Sequence, residues 1–179
     1  MDASMLLASG QYFNFMSPAG FRFDVEVIAH ALSNTCRFGG HTKCFYSVAQ
    51  HSVLVSQNVS KPNQLQALFH DGSEAFLGDV IKPLKDLLTD YAEIEERVQR
   101  EVFRSVGVSL VMHPEVKHAD KVVLATERRD LMLENLQPWE LIKGIAPMAE
   151  FIAPLEPREA RRLFLDRYSE IMRTALAVA

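Results

Sequence analysis

Three ionisable side chains sit inside a run that otherwise reads as protein interior: Leu68-Phe69-His70-Asp71-Gly72-Ser73-Glu74-Ala75-Phe76-Leu77-Gly78-Asp79. Read as one helix, the i, i+4 spacing puts His70 and Glu74 on one face, with Asp71 slightly round the cylinder. Leu65, Leu68 and Phe69 precede the trio, and Ala75 and Phe76 follow it. Burying such groups unpaired is costly. A bound metal ion offsets that cost, which makes this stretch the first candidate for chemistry.

The rest of the chain sets the frame. Its 179 residues are 48% apolar and 23% charged, which suits one globular domain over 1–179 with a sizeable core. The net charge of −4 gives no broad basic footprint, so nucleic-acid binding is not expected. Small anionic ligands need only a local cluster of positive charge. Cys36 and Cys44 lie close together without a CxxC pattern and read as reduced thiols. No apolar run is long enough for a membrane span, and the first residues lack a basic leader region. A cytoplasmic protein without membrane partners is expected.

Periodicity predicts an all-α fold of six or seven helices with a short extended or hairpin-like fringe in the aromatic-rich residues 10–23. Asp24 reads as the N-cap of a helix carrying Val25, Ile28, Ala29 and Leu32. Ser47 reads as the cap of a second, carrying His51. Pro62 suits the first turn of the His70 helix, and Gly78 suits its end. A long helix is expected from about Asp90 to Gly107, and another from Pro114 containing His118, Asp120, Leu124 and Leu131. Residues 135–157, with Pro138, Gly144, Pro147 and Pro154, read as loop with short turns. A last amphipathic helix is expected over about 158–175.

His51, His70, Asp71 and Asp120 each fall on a predicted helix among apolar neighbours. Two imidazoles and two carboxylates form a mixed N/O donor set suited to a divalent transition metal, with Zn, Co or Mn favoured over Mg. Such a metal lowers the pKa of a water and polarises a phosphoryl group. Glu74 is then the free carboxylate near enough to move protons. Each signal is weak singly. The ordered set, His then His-Asp then Asp on three separate helices, is what carries weight.

That ordered set resembles the HD-domain metal-dependent phosphohydrolases. His70-Asp71-Gly72-Ser73-Glu74, then Gly78-Asp79, Pro83 and Lys85, is similar to the bacterial 5′-deoxyribonucleotidase branch, which pairs HDxSE with a downstream GD and Pro-x-Lys. Ser47-Val48-Ala49-Gln50-His51-Ser52 resembles its first-His segment, and Arg37-Phe38 its arginine-aromatic pair. The likeness spans about residues 24–131. Phage-encoded dATP triphosphohydrolases belong to the same branch.

The resemblance implies metal ligation by His51, His70, Asp71 and Asp120, and proton transfer by Glu74. It places Asp79 near the leaving group and sugar. Arg37 and Lys85 are implied to hold phosphate, as a bidentate fork and a point charge, and Phe38 to pack against the deoxyribose. The activity implied is hydrolysis of a 2′-deoxynucleoside phosphate, either a dNMP giving phosphate or a dNTP giving triphosphate. A homo-oligomer, dimer or higher, is implied as well. The alarmone hydrolases differ, since they carry adjacent Glu and Asp after HD and here Ala75 follows Glu74. Cyclic-dinucleotide phosphodiesterases carry a Gly-Tyr-Pro that does not occur here. The alternative from another class is a non-catalytic HD-fold nucleotide sensor or scaffold. Outside the candidate site, Lys82 is expected to be solvated, His30 to be structural, and His113, His118 and Trp139 to cap or pack. His41 is expected either at the phosphate or in loop packing.

Overall fold

The computed structural model describes residues 3–176. Among these the chain is mostly helical, with eight α-helices rather than six or seven and one two-stranded antiparallel hairpin. In chain order these are β1 (Ser4–Leu6), β2 (Tyr12–Asn14), α1 (Val25–Asn34), α2 (Val48–Gln57), α3 (Gln64–Leu68), α4 (Glu74–Leu77), α5 (Lys82–Lys85), α6 (Tyr91–Val106), α7 (Pro114–Leu131) and α8 (Pro157–Leu176). Single 3-10 turns lie at Arg37–Gly40, Lys61–Asn63 and Glu140–Ile142. No described helix is long and apolar enough to cross a membrane.

The sequence caps act as expected. Asp24 accepts from the Glu26 N–H and Ser47 from the Gln50 N–H, each satisfying an otherwise unpaired donor of the first turn. Gly107, at φ 73°, ends α6 in the left-handed conformation. His113 caps α7 by accepting from the Glu115 N–H.

The packing centre is α2. Eight of its ten residues, Val48 to Val53, Val55 and Ser56, are buried, so the helix is sheltered nearly all round. It packs on α1, α3, α7 and α8. Two of its buried polar residues are tied to distant segments: Gln50 bonds the Ala153 carbonyl and the Leu155 N–H, and Ser56 receives the buried Arg167. The hairpin sits on the other side of the core. It carries Phe13, fully buried, into edge contact with Phe15, Phe21 and Phe23, with the Phe76 ring of α4 4.5 Å away. The expected fringe is therefore a true hairpin, but its first strand begins earlier, at Ser4.

One expectation is corrected. His70 and Glu74 do not share a continuous helix: α3 stops at Leu68 and α4 starts at Glu74. Between them the backbone tightens into successive i→i+3 bonds, Gly72 N–H to Phe69 O (3.0 Å) and Glu74 N–H to Asp71 O (3.0 Å). The reason is close approach of α6. A Cβ on Gly72 would lie 2.7 Å from the Val102 Cγ1 and 3.0 Å from the Phe69 carbonyl oxygen. Gln99 of α6 fastens the turn, accepting from the Ser73 N–H and donating to the Phe69 carbonyl, both at 2.8 Å.

Candidate metal centre

Three segments meet at one end of the bundle: α2 with His51, the α3–α4 turn with His70 and Asp71, and α7 with Asp120. One ligand atom each from His51, His70 and Asp120 lies within 4.8 Å of the others. Asp71 joins them, its Oδ2 3.2 Å from His70 Nε2 and 3.5 Å from His51 Nε2. Asp120 Oδ1 stands 3.2 Å and 3.9 Å from the His51 and His70 nitrogens. All four expected ligands are thus brought together. The imidazoles are 0% and 5% exposed, whereas the Asp71 and Asp120 side chains are 23% and 40% exposed, so the histidines form the floor and the carboxylates open outward.

The far side of each imidazole decides what the near side offers. His51 Nδ1 lies 2.7 Å from Glu127 Oε1, and His70 Nδ1 lies 2.8 Å from the Ala67 carbonyl oxygen. Both partners only accept, so each Nδ1 keeps a proton, and each Nε2 is left free to give up its own proton and offer a lone pair to a metal. Those two Nε2 atoms are 3.3 Å apart, with two carboxylate oxygens around them. Such a cluster of nitrogen and oxygen atoms in a buried site needs positive charge between them, supplied either by protons on the imidazoles or by a divalent metal, which fits this donor set. The same crowding shows in the titration of the side chains. Burial pushes the His70 imidazole pKa down, but Asp71 and Asp120 more than reverse it and hold it well above the ordinary value. Burial would raise Asp120, but its hydrogen bonds to His51 and His70 hold it well below the carboxylate range.

Glu127 is the residue that sequence reading missed. It is fully buried and spans two hydrogen-bond donors, with Oε1 on His51 Nδ1 and Oε2 3.1 Å from Arg37 Nη2. The available signal was its place seven residues after Asp120, two turns along the same face of α7. Arg37 also reaches Asp71 at 3.6 Å. Its loop is pinned at the start of α2 by a bridge between Cys36 and Ser47 and by Arg37 N–H to Tyr46 O.

Above the floor lies a cleft of about 590 Å³, within the usual range for small-molecule sites. Arg37, Phe38, Asp71, Glu74, Asp79, Lys85 and Asp120 all line it, so every expected substrate or proton-transfer residue faces one space with two of the expected ligands, Asp71 and Asp120. Glu74 is buried, and its Oε2 has no hydrogen-bond partner. Burial, then Asp71 and Asp79, raise its pKa well above the usual range against the pull of Arg37 and Lys85. Asp79 accepts from the Phe38 N–H at 3.2 Å, which ties down a residue held at φ 55° among the positive-φ Gly39 and Gly40. Lys85 pairs with Glu95 at 2.6 Å, and Lys82 with Asp86. Lys82 is exposed as expected but reaches the cleft rim, and His41 and Trp139 line the cleft too.

No protein-family model matches the chain. The uncharacterized protein YfdR of Escherichia coli (strain K12) is 41% identical over 164 residues, covering 91% of this chain and 92% of that protein. The chain belongs to the same family as YfdR. An uncharacterized protein of Rhodobacter capsulatus is 28% identical over 192 aligned residues, covering 94% of this chain and 95% of that one. The likeness to YfdR runs over nearly the whole length of both chains.

Proposed function

We propose that this chain is an HD-type metal-dependent phosphohydrolase that cleaves 2′-deoxynucleoside 5′-monophosphates to deoxynucleoside and phosphate. The observation that carries the reading is the convergence of two Nε2 lone pairs and two carboxylates at the floor of a cleft that also holds Arg37, Lys85 and Glu74. A divalent metal held by His51, His70, Asp71 and Asp120 would supply Lewis acidity toward a phosphoryl oxygen and an acidified water.

The remaining work falls to side chains. Arg37, held flat between Glu127 and Asp71, presents its guanidinium to phosphate oxygens, and Lys85 adds a point charge. Glu74, whose raised pKa lets it keep a proton, donates to the ester oxygen as the P–O bond breaks and takes a proton from the attacking water. Asp79 keeps Phe38 in its left-handed conformation, where the ring lies beside Arg37 and can cover a sugar. The monophosphate is preferred to the triphosphate because the cleft's lysine and arginine cations are already matched by carboxylates: Arg37 by Glu127 and Asp71, Lys85 by Glu95, and Lys82 by Asp86. Little positive charge is left over for two more phosphates.

Product chromatography tests this. The protein meets the four dNMPs, the four dNTPs and their ribonucleotide counterparts, with Mn²⁺, Co²⁺, Zn²⁺ and Mg²⁺ separately. Phosphate and deoxynucleoside from dNMPs are expected, with Glu74→Gln inactive yet still metal-loaded. Intact triphosphate from dNTPs would replace the monophosphate preference. No turnover with any metal would leave a nucleotide sensor.

A further inference from the structure

Trp139 lines the same cleft as Asp71 and Asp120 but has no part in the chemistry above. It is half-buried, just ahead of the 3-10 turn Glu140–Ile142. Its indole is held in place from α7: the Arg128 guanidinium lies 5.3 Å from the ring centroid, and Arg128 Nη2 donates to the Asn135 and Gln137 carbonyls at 3.3 and 2.5 Å. A large ring fixed in position, yet left partly in water, keeps apolar surface available to a ligand.

Contacts along the cleft give an order. Arg37 Nη1 is 3.6 Å from the Asp71 carboxylate, the Arg37 guanidinium is 5.3 Å from the Phe38 centroid, and the Phe38 ring is 6.0 Å from the Trp139 ring at a 48° tilt. Metal ligand, phosphate-binding cation, first aromatic and second aromatic follow one another. A nucleotide presents phosphate, sugar and base in that sequence. We infer that Trp139 is the residue on which the nucleobase stacks, positioned by Arg128 and flanked by Leu124, Met132 and Leu141 of the same cleft. This rests on the phosphohydrolase reading and deepens it by naming the base subsite. Stacking on an indole is tolerant of base identity, so the subsite accepts all four bases and favours the larger purines.

Because Trp139 is the chain's single tryptophan, its emission reports the subsite directly. The Glu74→Gln protein in Mg²⁺ is titrated with dAMP, dCMP and base-free deoxyribose 5-phosphate. Quenching by both nucleotides, stronger with dAMP and absent with the sugar phosphate, is expected. Wild-type, Trp139→Phe and Trp139→Ala proteins are then compared in kcat/KM. Trp139→Ala should lose roughly 5- to 150-fold on dAMP, mainly through KM, with a clearly smaller loss on deoxyribose 5-phosphate. Trp139→Phe should recover most of the loss. Bound dAMP that leaves the emission unchanged, or equal losses on the two substrates, would overturn the assignment while the phosphohydrolase reading stands. If wild-type protein turns over neither compound, that reading fails, and the emission titration alone still decides whether a base meets Trp139.

Discussion

His51 is held from behind by a buried carboxylate, 2.7 Å from its Nδ1. Glu127 Oε1 accepts from Nδ1–H while Oε2 accepts from Arg37, so one buried carboxylate orients the proposed metal ligand and the proposed phosphate-binding cation together. Burial would raise the Glu127 pKa, but Arg37 and then His51 keep it below its ordinary value. Glu127→Gln preserves shape yet turns an amide NH₂ toward one of the two donors. Calorimetry should show metal affinity reduced roughly 10- to 100-fold, with helical content by circular dichroism retained. An unchanged affinity would mean that Glu127 does not orient His51. The clustering of the four proposed ligands was legible in the sequence because their types and order are unusual together. Glu127 was not, since Glu127-Arg128-Arg129-Asp130 reads as the solvated, charged end of a helix. Trp139 was hidden by its Pro-containing loop, where no periodicity indicates which way a side chain faces.

At the scale of elements, the break between α3 and α4 is what turns Asp71 toward the histidines while Glu74 starts a new helix. Hydrophobic periodicity runs on through the break, so the sequence reads as one helix. Gly72 was the only local sign, and glycine within a helix is common enough to pass unnoticed. Gly72→Ala should destabilise the fold by about 1–3 kcal/mol in urea unfolding, because the new methyl meets Val102 and the Phe69 carbonyl. The loss should shrink in a Val102→Ala background, where one of the two obstacles is gone. A second junction joins the start of α3 to the start of α7. Glu115 accepts from the Ser60 N–H and Oγ at 2.7 and 2.6 Å, and from Asn63 at 2.5 Å. The hydrogen bonds from Ser60, then Asn63, hold its pKa below the ordinary 4.5. A depressed folded-state pKa means stability that is fully present above the unfolded value and lost as pH falls through the folded one. Glu115→Gln should therefore flatten the acid limb of stability against pH while leaving the neutral region nearly level.

For the whole molecule, the metal centre draws on α2, the α3–α4 turn and α7, three segments far apart in sequence that meet only in the folded chain. A ligand bound only to that state stabilises it by mass action, about 2.7 kcal/mol at a hundredfold excess over Kd. Caps could be read from Asp24, Ser47, Gly78 and Gly107, since each cap acts through its neighbours in sequence. Helix number was read low, because the expected His70 helix breaks into α3 and α4 and the short α5 went unread. The central position of α2 could not be read, because its mixed run of Val, Ser, Gln and His shows no clean amphipathic face. Only tertiary partners, the Leu155 N–H and Arg167, account for the buried Gln50 and Ser56. The most direct test of the metal centre as the seat of function is phosphate release from dAMP by chelator-treated protein while Mn²⁺ is added back. Release that is absent at first, then rises and saturates near one Mn²⁺ per chain, is the expected result. Release that survives chelation, or none from a chain shown to bind Mn²⁺, would contradict it.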